Sequence, residues 1–184
     1  MQLPARTSRR LVAGLGLACT AILLPTAALA SSAGPSAPAR AVVGRCLSQN
    51  TTVWYGLPSN DTAGSSFFDL EFSNTGHSTC TFFGFPGITA IDAHGHQVGL
   101  PATRTGPQGA HVTLRPGDTA HVILRVVDAG AICRPVNAVL LKVFPPGQFS
   151  SKLVPLKTQG CLGHAVLSTD AIHPRTGIPG FQIH

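Results

Sequence analysis

Carboxylates are scarce in this chain, with 7 Asp and Glu among 184 residues beside 13 Lys and Arg and 8 His. Asp69 and Glu71 form the one close acidic pair. They alternate with Phe68, Leu70 and Phe72, so they read as solvated residues on the outer face of a strand rather than as a general acid and base. Other starting points for catalysis are missing too. No Gly-x-Ser-x-Gly elbow presents a serine nucleophile, and no Cys-x-x-Cys pair builds a zinc ribbon or a thiol-exchange site. Methionine is absent after Met1, which removes a ligand that copper-transfer sites often use. Lys and Arg neither cluster nor interleave with aromatic residues, so no groove tracks phosphates and nucleic acid is excluded as a partner. Helical periodicity is lacking as well, because no window of a dozen residues keeps a 3.6-residue period between caps.

What is present begins with an export pattern. Arg6, Arg9 and Arg10 precede an apolar run from Leu11 to Leu24, and Ala28-Leu29-Ala30 supplies the small-x-small sequence that signal peptidase accepts. Residues 1–30 therefore read as a signal peptide cut before Ser31. A retained anchor would want roughly 20 apolar residues, and Pro25 closes this run early. Lipidation at Cys19 and twin-arginine export through Ser8-Arg9-Arg10 are the alternatives, and the Sec route is the default. Residues 31–45, with their Ala, Ser, Pro and Gly, read as a flexible leader. Residues 46–184 read as one domain with no transmembrane segment after cleavage. The export segment takes three of the thirteen basic residues with it, leaving ten against seven acids, a net +3.

Four cysteines then remain, Cys46, Cys80, Cys133 and Cys161. An even number in an exported chain points to two disulfides, of which three pairings are open. Cys46 with Cys80 and Cys133 with Cys161 is favoured, since each pair brackets a plausible unit of two strands.

Period-two alternation is clearest at Ser66 to Asn74, at Thr119 to Val127 with Ala120, Val122, Leu124 and Val126 inward, and at Asn137 to Phe144 with Val139, Leu141 and Val143 on one face. Shorter candidates lie at Leu47 to Tyr55, Cys80 to Phe83, Ile88 to Asp92, Ala110 to Leu114 and Ala165 to Ile172. Turn sequences such as Arg115-Pro116-Gly117-Asp118 and Pro145-Pro146-Gly147 separate them. Eight or so short strands without helical crossovers predict an all-β fold, an antiparallel immunoglobulin-like β-sandwich stapled by disulfides. Trp54, eight positions after the first cysteine, does not match the core tryptophan of a true immunoglobulin domain.

Several of these segments together resemble a known family. Cys46, then Phe72-Ser73-Asn74-Thr75-Gly76 leading to Cys80-Thr81-Phe82-Phe83-Gly84-Phe85-Pro86-Gly87, is similar to a secreted actinobacterial family known as domain of unknown function 4232. Leu114-Arg115-Pro116-Gly117-Asp118-Thr119-Ala120, Cys133, Pro145-Pro146-Gly147 and Cys161 extend the likeness, which spans Cys46 to Ile172. The resemblance implies a small exported β domain of a Gram-positive, high-GC envelope. It carries over no catalytic residues and no cofactor.

Two features bear on function. A zinc or copper site would draw on His94, His96, His111 and His121. If Val112, Leu114, Ala120 and Val122 share a face in one hairpin, Thr113 opposes His121 and His111 lies diagonal to it. The plainer expectation is exposed histidines standing in for scarce charges. Secondly, Phe67, Ile123, Leu140 and Phe144 fall opposite their strands' inward sets, so they are either partly covered or form an apolar binding patch. The expected function is a non-enzymatic interaction module, secreted or held at the cell wall, that docks on an extracellular or envelope protein or polymer. An envelope metal-binding protein is the alternative.

Overall fold

Alternating segments fold as strands wherever one face can be buried. The computed structural model describes residues 43–177, apart from the side chains of 57–60. The export segment, Cys19 and the leader up to residue 42 lie outside those residues. In chain order the strands are β1 (Gly44–Arg45), β2 (Thr51–Thr62), β3 (Ser65–Asn74), β4 (Cys80–Phe82), β5 (Gly87–Ile91), β6 (Gln97–Val98) and β7 (Thr103–Arg104). There follow β8 (Val112–Leu114), β9 (Thr119–Val127), β10 (Val136–Phe144), β11 (Lys152–Gly160), β12 (Leu167–Thr169) and β13 (His173–Pro174). Gly44 and Arg45, assigned to the leader from sequence, are thus already strand.

Three sheets result. One runs β2-β3-β9-β12-β7, with β13 also pairing β9; a second runs β11-β10-β5-β6; a third runs β1-β4-β8. The pairings are antiparallel except β1 with β4 and β7 with β12. The all-β, disulfide-bonded architecture is the one expected, and both favoured bridges are present: Cys46 to Cys80 and Cys133 to Cys161, with Cα atoms 4.8 and 5.8 Å apart.

The core follows the alternation. Phe68, Leu70 and Phe72 of β3 pair with Leu124, Val122 and Ala120 of β9. Leu70, Phe72, Val122 and Leu124 share one buried cluster with Ile88, Leu141, Val143 and Val154 of the second sheet. Phe72 meets Phe82 of β4 edge to face at 5.9 Å, which ties in the third sheet.

Two sequence expectations are corrected. A bulge between Ala138 and Leu140 makes Ala138, not Val139, the inward partner of Leu141 and Val143. More consequentially, β8 and β9 are not a hairpin: β8 pairs β4, placing Thr113 opposite Thr81, while β9 pairs β3, placing His121 opposite Glu71. The cause is Asn74. This buried side chain donates to the carbonyls of Leu114 and Ser78 at 3.1 and 2.9 Å. Its main chain donates to Asp118 and accepts from Gly117. The Arg115–Asp118 turn is thereby anchored to the end of β3 and carries the chain from one sheet to another.

Candidate functional site

The turn that separates β8 from β9 also separates the histidines. His94 and His96 sit in the turn after β5, ring centroids 6.2 Å apart, and both main-chain N–H groups donate to Asp92 Oδ1 at 2.8 Å. Those bonds hold the Asp92 carboxyl below its ordinary range. His111 stacks flat on Phe83 at 4.3 Å. His121 lies on the outer face of the first sheet, its Nδ1 2.8 Å from the carbonyl oxygen of Arg175, with the His173 ring 5.4 Å away. The structure therefore brings His94 and His96 together and does not bring His111 to His121. Among the described residues, no three His, Cys, Asp or Glu groups converge on a point that fits a metal ion.

Asp69 and Glu71 do face outward from β3, but they are not solvated, which corrects the sequence expectation. The chain beyond β13 folds across them: Gly177 N–H donates to Glu71 Oε1 at 2.9 Å. Glu71 is 1% exposed, and its Oε2 has no hydrogen-bond partner. Burial pushes its carboxyl up to about 7, the Gly177 bond opposes that rise, and the charge of Asp69 adds to it. Burial likewise raises the Asp69 carboxyl, with His121 pulling it down and Asp170 pushing it up. Asp170 accepts the N–H of Ile123 at 2.7 Å and lies 3.0 Å from His173 Nε2. Sequence reasoning did not mark Asp170 or His173, whose spacing across the end of a predicted strand was the signal available. Asp69, Glu71 and His121 are buried beneath the strap, which Glu71 and His121 fasten, while His173 stays exposed at its margin.

The apolar residues expected on outer faces are partly covered. Phe67, Ile123, Leu140 and Phe144 are all half-buried, and the Lys142 ammonium lies 5.5 Å from the Phe144 ring centroid. Exposed apolar side chains lie elsewhere: Leu162, Leu100 and Ile132 near the second disulfide, and a further set at the end of the molecule where the first disulfide sits. Phe149, in the loop between β10 and β11, is 97% exposed. That loop is pinned to the segment before β2: Ser48 Oγ donates to the Ser150 carbonyl at 2.7 Å, and Ser48 N–H donates to Gln148 Oε1 at 3.2 Å. Leu47, just before Ser48, and Leu153, just after the loop, are exposed as well, and Phe83 is 40% exposed. Arg45, Thr81, Phe83, His111, Pro146 and Gly147 enclose a cleft of about 180 Å³. A phenylalanine four residues after Pro145, followed by two serines, was the readable sign of this tip.

An all-β domain with two disulfides and an apolar loop tip beside a small cleft is the class that fold and site define. The chain belongs to the family described as Domain of unknown function (DUF4232), whose model matches residues 46–172. No curated protein and no solved structure matches it.

Proposed function

We propose that this chain is exported and acts at the cell envelope or outside the cell as a non-enzymatic interaction module, with the Phe149 loop at the centre of its docking surface. The observation that carries the reading is Phe149 itself, a large apolar side chain 97% exposed on a loop held in place by Ser48. A solvent-facing phenylalanine on a mobile loop gains little; on a pinned loop its ordering entropy is already spent, which favours association. Leu47 and Leu153, close to the loop in sequence, are exposed too, and Phe83 lines the cleft with Pro146 and Gly147 of the same loop. Two disulfides suit an oxidising compartment, and no described helix is long and apolar enough to cross a membrane. The export reading of residues 1–30 agrees with both.

The test is capture on the immobilised protein, comparing fractionated envelope proteins, wall polysaccharide and lipid vesicles. Retention of a defined component that is lost in Phe149→Ser, with folding unchanged, supports the module. Turnover of a defined substrate, abolished by one point mutation, overturns it.

A further inference from the structure

Arg45 is the place to ask what the docking surface recognises. Its guanidinium reaches the loop across the cleft, where a Cβ on Gly147 would lie 3.9 Å from Nη1. Among the described residues it has no ion pair and no side-chain hydrogen bond, and the lining of the cleft includes no carboxylate. A planar cation with five donors and no acceptor in the protein is matched by a carboxylate from outside. The rest of the lining is Thr81, Pro146, Gly147 and a flat pair of rings, Phe83 and His111, stacked at 4.3 Å with 14° between their planes.

Resting on the interaction-module reading, we infer that this cleft holds one carboxylate-bearing sugar ring of an acidic polysaccharide, the carboxylate on Arg45 and the ring against the Phe83 and His111 pair. Size supports a single ring, because about 180 Å³ is below the roughly 300 Å³ at which pockets begin to hold a drug-sized ligand. The C–H faces of a pyranose suit the electron-rich face of an aromatic ring, and the hydroxyl of Thr81, which donates to the Gly44 carbonyl at 3.4 Å, keeps its lone pairs to accept from a ring hydroxyl. Thr81 lies in β4, whose two edges are taken by β1 and β8, so no strand can be added on the floor of the cleft; β1, which carries Arg45, keeps its outer edge, and poly-L-glutamate is the probe that tests an acidic peptide there. The site is also stiff: Cys46 N–H donates to the Thr81 carbonyl at 3.0 Å, and the Cys46 to Cys80 bridge closes the same pair of segments.

Calorimetric titration of the oxidised full chain with three polymers tests this. The probes are oligogalacturonate, its methyl ester, and poly-L-glutamate; the second keeps the rings without the charge, and the third keeps the charge without the rings. Binding of oligogalacturonate is expected, with affinity about tenfold or more weaker for either control. Arg45→Gln and Phe83→Ala each lower it about tenfold, and Arg45→Lys lowers it several-fold because the fork is lost while the charge remains. Arg45 is exposed, so its two variants keep the wild-type melting temperature and carry the test by themselves if Phe83→Ala, which loses the stack on His111, lowers it. Equal affinity for poly-L-glutamate, equal affinity for the methyl ester, or no heat with any polymer overturns the proposal. Phe149-dependent capture of an envelope component that persists while the glycans fail to bind would remove this ligand class and leave the module reading standing.

Discussion

The main-chain N–H of Gly177 and Oε1 of Glu71 lie 2.9 Å apart across 106 residues of sequence, joining the end of the described chain to the third strand. This bond closes a strap over the outer face of the first sheet, with the contact of His121 Nδ1 and the Arg175 carbonyl as its second fastening. Beneath the strap, a carboxyl that a solvated strand would keep ionised is held in a place that favours its proton. A sheet face that would otherwise be wet is thus turned into interior, and the main chain of the strap is tied down by side chains from β3 and β9.

That burial predicts a pH dependence of stability. An unfolded Glu71 ionises near 4.5, whereas the folded one ionises near 7. Below 4.5 both states hold the proton and the group is neutral in the balance. As pH rises from 4.5 to 7 the unfolded state releases a proton that the folded state keeps, so stability falls; above 7 the loss is complete. The full difference is at most on the order of 3 kcal/mol. Glu71→Gln carries no such charge and still accepts from Gly177. Denaturant unfolding of both proteins between about pH 4 and about pH 8 should show the wild type losing stability relative to the variant as pH rises. A pH-independent difference between them would contradict this account.

Gly177 is closely confined. A Cβ there would sit 2.6 Å from Cγ of Asp69 and within 2.9 Å of both its oxygens. Gly177→Ala must therefore move either the strap or a buried carboxylate, at a cost of about 1–3 kcal/mol. Hydrogen exchange should locate the loss: the amide at position 177 becomes labile while core amides such as Leu70 keep their protection relative to global unfolding. Unchanged protection at 177 would mean that the strap does not depend on the close approach.

The strands that alternate cleanly were legible. Thr119 to Val127 was bounded from sequence as the structure has it, and β3 differs by one residue, because their inward and outward sets differ sharply in polarity. β11 was missed. Val154 and Leu156 alternate with Leu153 and Pro155, which are no more polar, so the segment lacks period-two contrast; the edge position of β11 is what makes its proline tolerable. The pairing of β8 with β4 was illegible for a different reason. A four-residue turn between apolar runs reads as a hairpin, and the Asn74 side chain that prevents one comes from forty residues away. The strap, likewise, is a long-range contact with no local pattern. For the site, the cysteine count implied two bridges and the strand units they bracket favoured the observed pairing among three, while the cleft depends on the β10–β11 loop folding back on Ser48, which no local pattern shows.

Gly99 gives a sharper steric test, since it sits near the second disulfide. Its φ is +76°, and a Cβ there would lie 2.8 and 2.9 Å from the carbonyl oxygens of Cys161 and His164. Those are main-chain atoms of the turn that also receives the Leu100 N–H, so neither gives way as a flexible side chain would. Left-handed strain and overpacking add, and Gly99→Ala should destabilise by roughly 2–4 kcal/mol in thermal or denaturant unfolding. A loss under about 1 kcal/mol, within the tolerance of a well-placed core swap, would show that the turn relaxes freely.

The two bridges close chain segments of 34 and 28 residues, so the chain-entropy model assigns each about 3.5–4 kcal/mol. Similar totals conceal different consequences. Cys133 to Cys161 fastens the start of β10 to the end of β11, two strands already paired along their length. Cys46 to Cys80 fastens β1 to β4, a parallel pair of only two residues whose remaining support is the short edge of the third sheet. Replacing Cys46 and Cys80 by serine should thus release the first strand locally, freeing Arg45 and opening the cleft. Replacing Cys133 and Cys161 should lower global stability while leaving the cleft formed. Residue-resolved hydrogen exchange at Cys46, Thr81 and Leu141 separates the two: the first double variant exposes the first two amides well before Leu141, and the second weakens all three together. The same pattern in both variants would mean that the bridges act only through the unfolded chain.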